Sequence, residues 1–464
     1  MKDVYRVLLA PSHRFAAVAV LGLLYLLGHY IRDPLSQVLG SWYTKWTFLV
    51  MKYHWLKGNR ARYQHALHLK YSKLLPLMSL PRYAFLCPLV RFTPNEVSVT
   101  NIESVKKIHN ARETYRKTSW YGDLLRWLPS GAMSETSLQI AFSQVQSKID
   151  LAIQRMGEEM GSRGAANAIE WFLFMATDII GELSFGDSFR TLEIGEKGGY
   201  TKDLGNLGYL GAVCSAFLTL ISMAKYLPIP FFTRPLRATR NMIHTFTKVF
   251  KDTDKDALTP VEQRANTSGY IVAGSDSTAV TLTYLVWSVC RNPTVKATLL
   301  EQLRSLPNGF NASHLRDLSY LNQVIDETLR LYSGIQSSLP RHVPEGDDDV
   351  AGYWLPGGTS ICPQAYSMHR IASVFPNPDV FDPSRWASPT REMKDSFMPF
   401  GNGSQICIGL HLARMELRCA TARFFLTYPE AKVSTLKGFS DDGMLPKVFF
   451  FEEPKAQRRL IQRC

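Results

Sequence analysis

The chain has 464 residues, 45% of them apolar and 20% charged, values that exclude wholesale disorder. Lys and Arg number 53 against 40 Asp and Glu, a net charge of +13, but the basic residues are spread out and form no aromatic-interleaved patch, which argues against nucleic-acid binding. Seven cysteines, an odd number without a CxxC pair, argue against a disulfide framework or a structural zinc cluster and favour a reducing compartment.

The first predicted element is a membrane segment. Residues 15–31 read FAAVAVLGLLYLLGHYI, in which His29 is the polar exception. At about 1.5 Å per residue the run is just long enough to cross a bilayer core. No small-residue cleavage site follows it, so residues 1–32 are expected to be a retained single-pass anchor and 33–464 a tethered body. A buried first helix is the alternative. Lys2, Arg6 and Arg14 precede the run and Arg32, Lys45 and Lys52 follow it, so flanking charge leaves the orientation open.

Residues 33–130 are mixed, with strand-like alternation over 89–99. From 134 to 300 helical spacing dominates, with segments at 137–160, 168–184, 206–225 and 236–250. A polar stretch, 251–266, reads as a loop. A long helix is predicted over 267–291, stopped by Asn292-Pro293, and another over 314–332. The Pro-Gly-Gly in 353–361 predicts a hairpin, and a last long helix covers 409–426. The expected fold is mainly α with a small β portion. Neither βαβ alternation nor GxGxxG occurs, so a dinucleotide fold is unsupported.

Three segments carry chemistry. Residues 400–409 read FGNGSQICIG; the glycines permit tight turning, and Cys407 precedes a helix start. The free N–H groups there favour thiolate, and a thiolate can be an axial ligand of haem iron. A buried structural cysteine is the plain alternative. Glu327 and Arg330 in ETLR share one helical face, which by itself suits a surface ion pair. The long helix carries AGSDST at 273–278, where Ala-Gly suits close packing and Asp276 with a neighbouring hydroxyl could relay protons. A Ser or Thr there can also bond back to the preceding turn.

Taken together, FGNGSQICIG, ETLR, AGSDST and the FDPSRW of residues 381–386 resemble, in order and spacing, the cytochrome P450 family, and the front of the chain resembles its membrane-bound fungal members. The resemblance implies a cytochrome P450 fold behind an N-terminal transmembrane helix. It makes Cys407 the iron ligand of haem b (iron protoporphyrin IX), in a loop whose Phe400, Gly403, Gln405 and Gly409 hold the cofactor. Arg341, in SLPR, matches a strand residue that binds a haem propionate; His369-Arg370 is a weaker candidate, read on its own as an exposed basic pair. Glu327, Arg330 and Arg385 become a buried network behind the loop. Asp276, Ser277 and Thr278 become the proton relay, with Ser277 where the family usually has Thr. Ile335 and Leu339 border the substrate cavity. His411, Arg414 and Arg418 become a docking face for an acidic electron donor.

Three departures from the family pattern stand out. Position 405 holds Gln where the family has a basic residue, so it can hydrogen-bond a propionate without neutralising it. Residues 73–88 are an apolar insert. The helix with Trp and Arg at i,i+4 is missing, since Trp120 and Arg126 lie six apart. The implied function is a haem monooxygenase that inserts one oxygen atom of O2 into an apolar small molecule, a terpenoid, polyketide or alkaloid intermediate. It would draw electrons from NADPH through a separate flavoprotein reductase, anchored in the endoplasmic reticulum and facing the cytosol. The alternatives are a haem-binding or vestigial membrane protein without turnover, and the same fold rearranging its substrate without outside electrons.

Overall fold

In the computed structural model, residues 18, 20–24, 27–28, 32–73, 86–110, 114–118, 135–195, 260–438, 440–449, 452–456 and 460–462 are described. The expected helices at 206–225 and 236–250, most of the 73–88 insert, and Trp120 with Arg126 lie outside them. Of the apolar run, the described residues are helical, and Val18, Leu21 and Leu23 are exposed. Among the described residues no helix is long and apolar enough to cross a membrane.

The alternation over 89–99 forms two strands, β1 (Leu89–Thr93) and β2 (Glu96–Val99), paired antiparallel. Helix α1 (Ile102–Ile108) follows, its Asn101 cap accepting the Ser104 N–H. Helices α2 (Phe142–Arg163) and α3 (Ala168–Phe185) each end on a left-handed glycine, Gly164 and Gly186. The long helix α4 starts earlier than its pattern suggested, at Pro260, and runs to Arg291. Proline is tolerated in a first turn, so the polar 260–266 stretch extends the helix instead of looping. Pro293 opens α5 (Pro293–Arg304).

The helical region 314–332 is two helices. Asn311 caps a short one, Ala312–Arg316, and extended backbone at Leu318 separates it from α6 (Ser319–Tyr332). In α6, Leu321, Val324, Ile325 and Leu329 form the apolar stripe that enters the helical core. The last helix, α7 (Leu410–Thr427), packs on α2, α4 and α6.

The β portion corrects the expected hairpin. β3 (Arg341–His342) and β6 (Ser360–Pro363) join β1 and β2 in one sheet, ordered β1-β2-β6-β3. β4 (Asp348–Val350) pairs with β5 (Tyr353–Leu355) in a separate two-stranded sheet. Pro356-Gly357-Gly358 therefore carries the chain from one sheet to the other. β2 and β6 are parallel, which no short turn can connect.

Candidate active site

The loop before α7 is shaped by backbone. Gly401 and Gly403 have φ of +72° and +74°, a region that L side chains disfavour. A Cβ built at Gly403 would collide with the carbonyl oxygen of His109, so the loop rests directly on the end of α1. The Cys407 N–H donates to the Phe400 carbonyl at 2.8 Å and closes the loop. Gly409 is the N-cap of α7. Of the described cysteines, Cys87, Cys362 and Cys419 are buried, whereas Cys407 is exposed. Its sulfur nonetheless sits deep among protein atoms. Desolvation raises the thiol, and the Gly409 N–H, donated to the sulfur, lowers it.

Beside the loop stands a basic corner. Arg341 is buried on β3, and its Nη1 donates to Gln405 Oε1 at 2.5 Å. The structure thus brings the strand arginine and position 405 together. His109, the C-cap of α1, is buried as well, and neither of its ring nitrogens has a hydrogen-bond partner. Burial and the Arg341 charge lower it to about 4. Sequence reasoning missed His109, a single histidine after a short helix with no motif around it.

Behind the loop, Glu327, Arg330 and Arg385 meet. Arg330 is bidentate on Glu327, with both bonds at 2.8 Å, and Arg385 Nε donates to the same carboxylate at 3.1 Å. Trp386 Nε1 and the Asp382 N–H add bonds at 2.9 Å each. His369 ties this network to the loop. Its carbonyl accepts from Arg330 at 2.8 Å, and its Nε2 accepts the Met398 N–H at 2.9 Å, two residues before Phe400. The bland reading of His369-Arg370 as an exposed pair is corrected: both are buried, and Arg370 lies over the Tyr366 ring.

On α4 the three relay candidates part company. Asp276 is half-buried. The Ser277 hydroxyl donates back to the Ala273 carbonyl at 2.6 Å. Gly334 is pressed against Ser277, where a Cβ would come within 2.6 Å. Thr278 is buried, and its hydroxyl donates to Glu416 of α7 at 3.0 Å. The Thr278 hydroxyl is thus turned to a core carboxyl of α7, and the Ser277 hydroxyl to its own helix. Gly274 packs on Ile180 of α3, which is the close-packing role of an Ala-Gly pair. Leu339 reaches the loop, 3.8 Å from a Cβ at Gly401. On α7, Arg414 donates to Asp326 at 2.9 Å and Arg418 to Asn322 at 2.8 Å, while His411 is exposed. Two of the three docking candidates thus also hold α7 to α6.

These residues suit an iron porphyrin. Cys407, with the Gly409 N–H bonded to its sulfur, would be the residue to hold the iron, and a buried guanidinium with a partnerless imidazole offers donors to carboxylates.

Comparison with known proteins agrees. The cytochrome P450 family profile matches residues 238–437. The chain is 38% identical to cytochrome P450 monooxygenase tazI of Aspergillus terreus, over 96% of this chain and 98% of that protein. It is 35% identical to cytochrome P450 monooxygenase orf2 of Aspergillus niger, over 93% and 94%. The solved cytochrome P450DA haem domain shares the fold, with a TM-score of 0.66 at 17% identity, over 86% of this chain and 95% of that one.

Proposed function

The chain belongs to the cytochrome P450 family, as a haem monooxygenase of fungal secondary-metabolism type, and from that premise we propose that it oxygenates an apolar intermediate at a membrane surface. The terpenoid, polyketide and alkaloid classes are the candidate substrates. Electrons come from NADPH through a separate flavoprotein reductase. Residues 1–32 tether the enzyme to the endoplasmic reticulum, with its body in the cytosol. What supports the tether is the exposed apolar character of Leu21, Leu23 and Leu24, continued by exposed Trp42, Leu49 and Tyr53.

Haem, when bound, supplies the activation of dioxygen, one oxygen atom going to the substrate and the other to water. The protein's own part is positional. Cys407 ligates the iron, and the Gly409 N–H on its sulfur restrains the thiolate's charge. Arg341, braced by Gln405 Oε1, holds the carboxylate edge. The network of Glu327, Arg330 and Arg385 keeps the loop in place through His369. Asp276 exchanges protons with solvent, and the Ser277 hydroxyl, held on the Ala273 carbonyl, hands them on. Ile335 and Leu339, both half-buried, line the substrate's approach. The reductase docks where α7 begins, near exposed His411 and a recess of about 230 Å³ rimmed by Arg316, Arg414 and Arg418.

The observation that carries this reading is Cys407, an exposed residue at the head of α7 whose sulfur is bonded by the Gly409 N–H. Its test is reconstitution with reductase and NADPH across apolar substrates. An oxygenated product formed in step with NADPH oxidation is expected, and Ser277→Ala lowers its rate by about 10-fold or more. NADPH oxidation at background for every substrate contradicts turnover. Product formed without the reductase indicates rearrangement instead.

A further inference from the structure

The basic corner contains one group that the assignments above leave unused. His109 is buried, with 6% exposure. Neither ring nitrogen has a hydrogen-bond partner. An imidazole in either neutral tautomer carries an N–H, and burying that donor without an acceptor is destabilising. Its setting is fixed by contacts on two sides. The His109 carbonyl abuts Gly403 of the cysteine loop so closely that a Cβ there would collide, and the Arg341 guanidinium is near enough to repel a ring cation. Burial first, and the Arg341 charge second, lower its basicity. An anion bonded to both would reverse that and satisfy the donor.

The same corner has a deficit at position 405. The resembled loop has a basic side chain there, and this chain has Gln405, which spends its Oε1 on Arg341. A carboxylate-bearing cofactor therefore meets one fewer cation from the loop. We propose that His109, from the end of α1, is a direct N–H donor to a haem propionate, sharing the carboxylate edge with Arg341 and supplying the contact that position 405 does not. The proposal rests on the haem-thiolate reading above and extends it to a residue outside every motif. His109 is a binding residue here, with no role in proton delivery.

The test measures how fast the holoenzyme gives up haem to excess apomyoglobin, beside the reduced carbon monoxide spectrum of each variant. His109→Phe keeps an aromatic ring of comparable bulk and removes both nitrogens; it is expected to speed haem loss about 10-fold or more, the effect of losing one hydrogen bond to a charged group. His109→Gln, which keeps a donor, is expected to stay within about threefold of wild type. Gln405→Arg added to His109→Phe is expected to recover most of the retention, which a merely structural role for His109 does not allow. Wild-type haem loss in His109→Phe overturns the proposal. So does fast loss that Gln405→Arg leaves unchanged and His109→Gln shares. If the wild type shows no thiolate carbonyl band, the haem-thiolate reading itself fails; a normal wild-type band with unchanged haem loss in His109→Phe removes this proposal alone.

Discussion

Two buried carboxyls, on helices that pack together, have opposite surroundings. Glu327 of α6 is fully buried and accepts from Arg330 twice, from Arg385, from Trp386 and from the Asp382 N–H. Glu416 of α7 is as deeply buried, yet Thr278 is the donor it receives, and burial pushes it up to about 8 against that bond. A carboxylate ringed by donors and flanked by two guanidiniums is a fixture of the fold. A carboxyl given one neutral donor holds its proton. The first can transmit position to the cysteine loop because its geometry is saturated; the second answers to pH.

The largest effect tests the saturated site. Glu327→Ala leaves two guanidiniums without their carboxylate and is expected to cost about 3–5 kcal/mol. In expression, that should appear as loss of soluble haem-loaded protein. Recovery of wild-type yields and thermal midpoint would show that the network is a passive ion pair.

A smaller effect is expected at the other carboxyl. Thr278→Val removes the donor to Glu416 and is expected to lower stability by about 1–2 kcal/mol in denaturant titration, while turnover rate per haem stays near wild type. A turnover loss matching that of Ser277→Ala would place Thr278 in the proton relay.

A further effect concerns the pH profile. A carboxyl raised from 4.5 to about 8 keeps its proton in the folded state after the unfolded chain has lost it. Stability therefore falls as pH rises between those values, and the loss is complete above about 8. Glu416→Gln is expected to flatten that slope, raising the thermal midpoint relative to wild type at alkaline pH more than at pH about 5. An unchanged slope would mean that Glu416 is ionised in the folded protein.

Local chemistry was legible in the sequence wherever several residues had to cooperate within a short stretch. Asn292-Pro293 marked the end of α4, and ETLR with FDPSRW named the residues that meet behind the loop. What the sequence hid was direction and distance. Ser277 and Thr278 look interchangeable in a string, but about 100° of helical rotation sends one hydroxyl back to its own helix and the other into α7. His369-Arg370 reads as a solvated pair, because nothing local shows that Arg330 and Met398 enclose it. Pro356-Gly357-Gly358 has the chemistry of a turn, but which strands it joins is settled by pairing with β2, far away in the chain. His109 is the extreme case, a lone histidine whose setting comes from a loop about three hundred residues later.

The central claim is that the sulfur at the head of α7 ligates haem iron, and the reduced carbon monoxide spectrum of wild type beside Cys407→Ser tests it most directly. The red-shifted Soret band of thiolate ligation is expected in the wild type and absent from the variant. A wild type that takes up no haem, or a Cys407→Ser protein that keeps the same band, would contradict it.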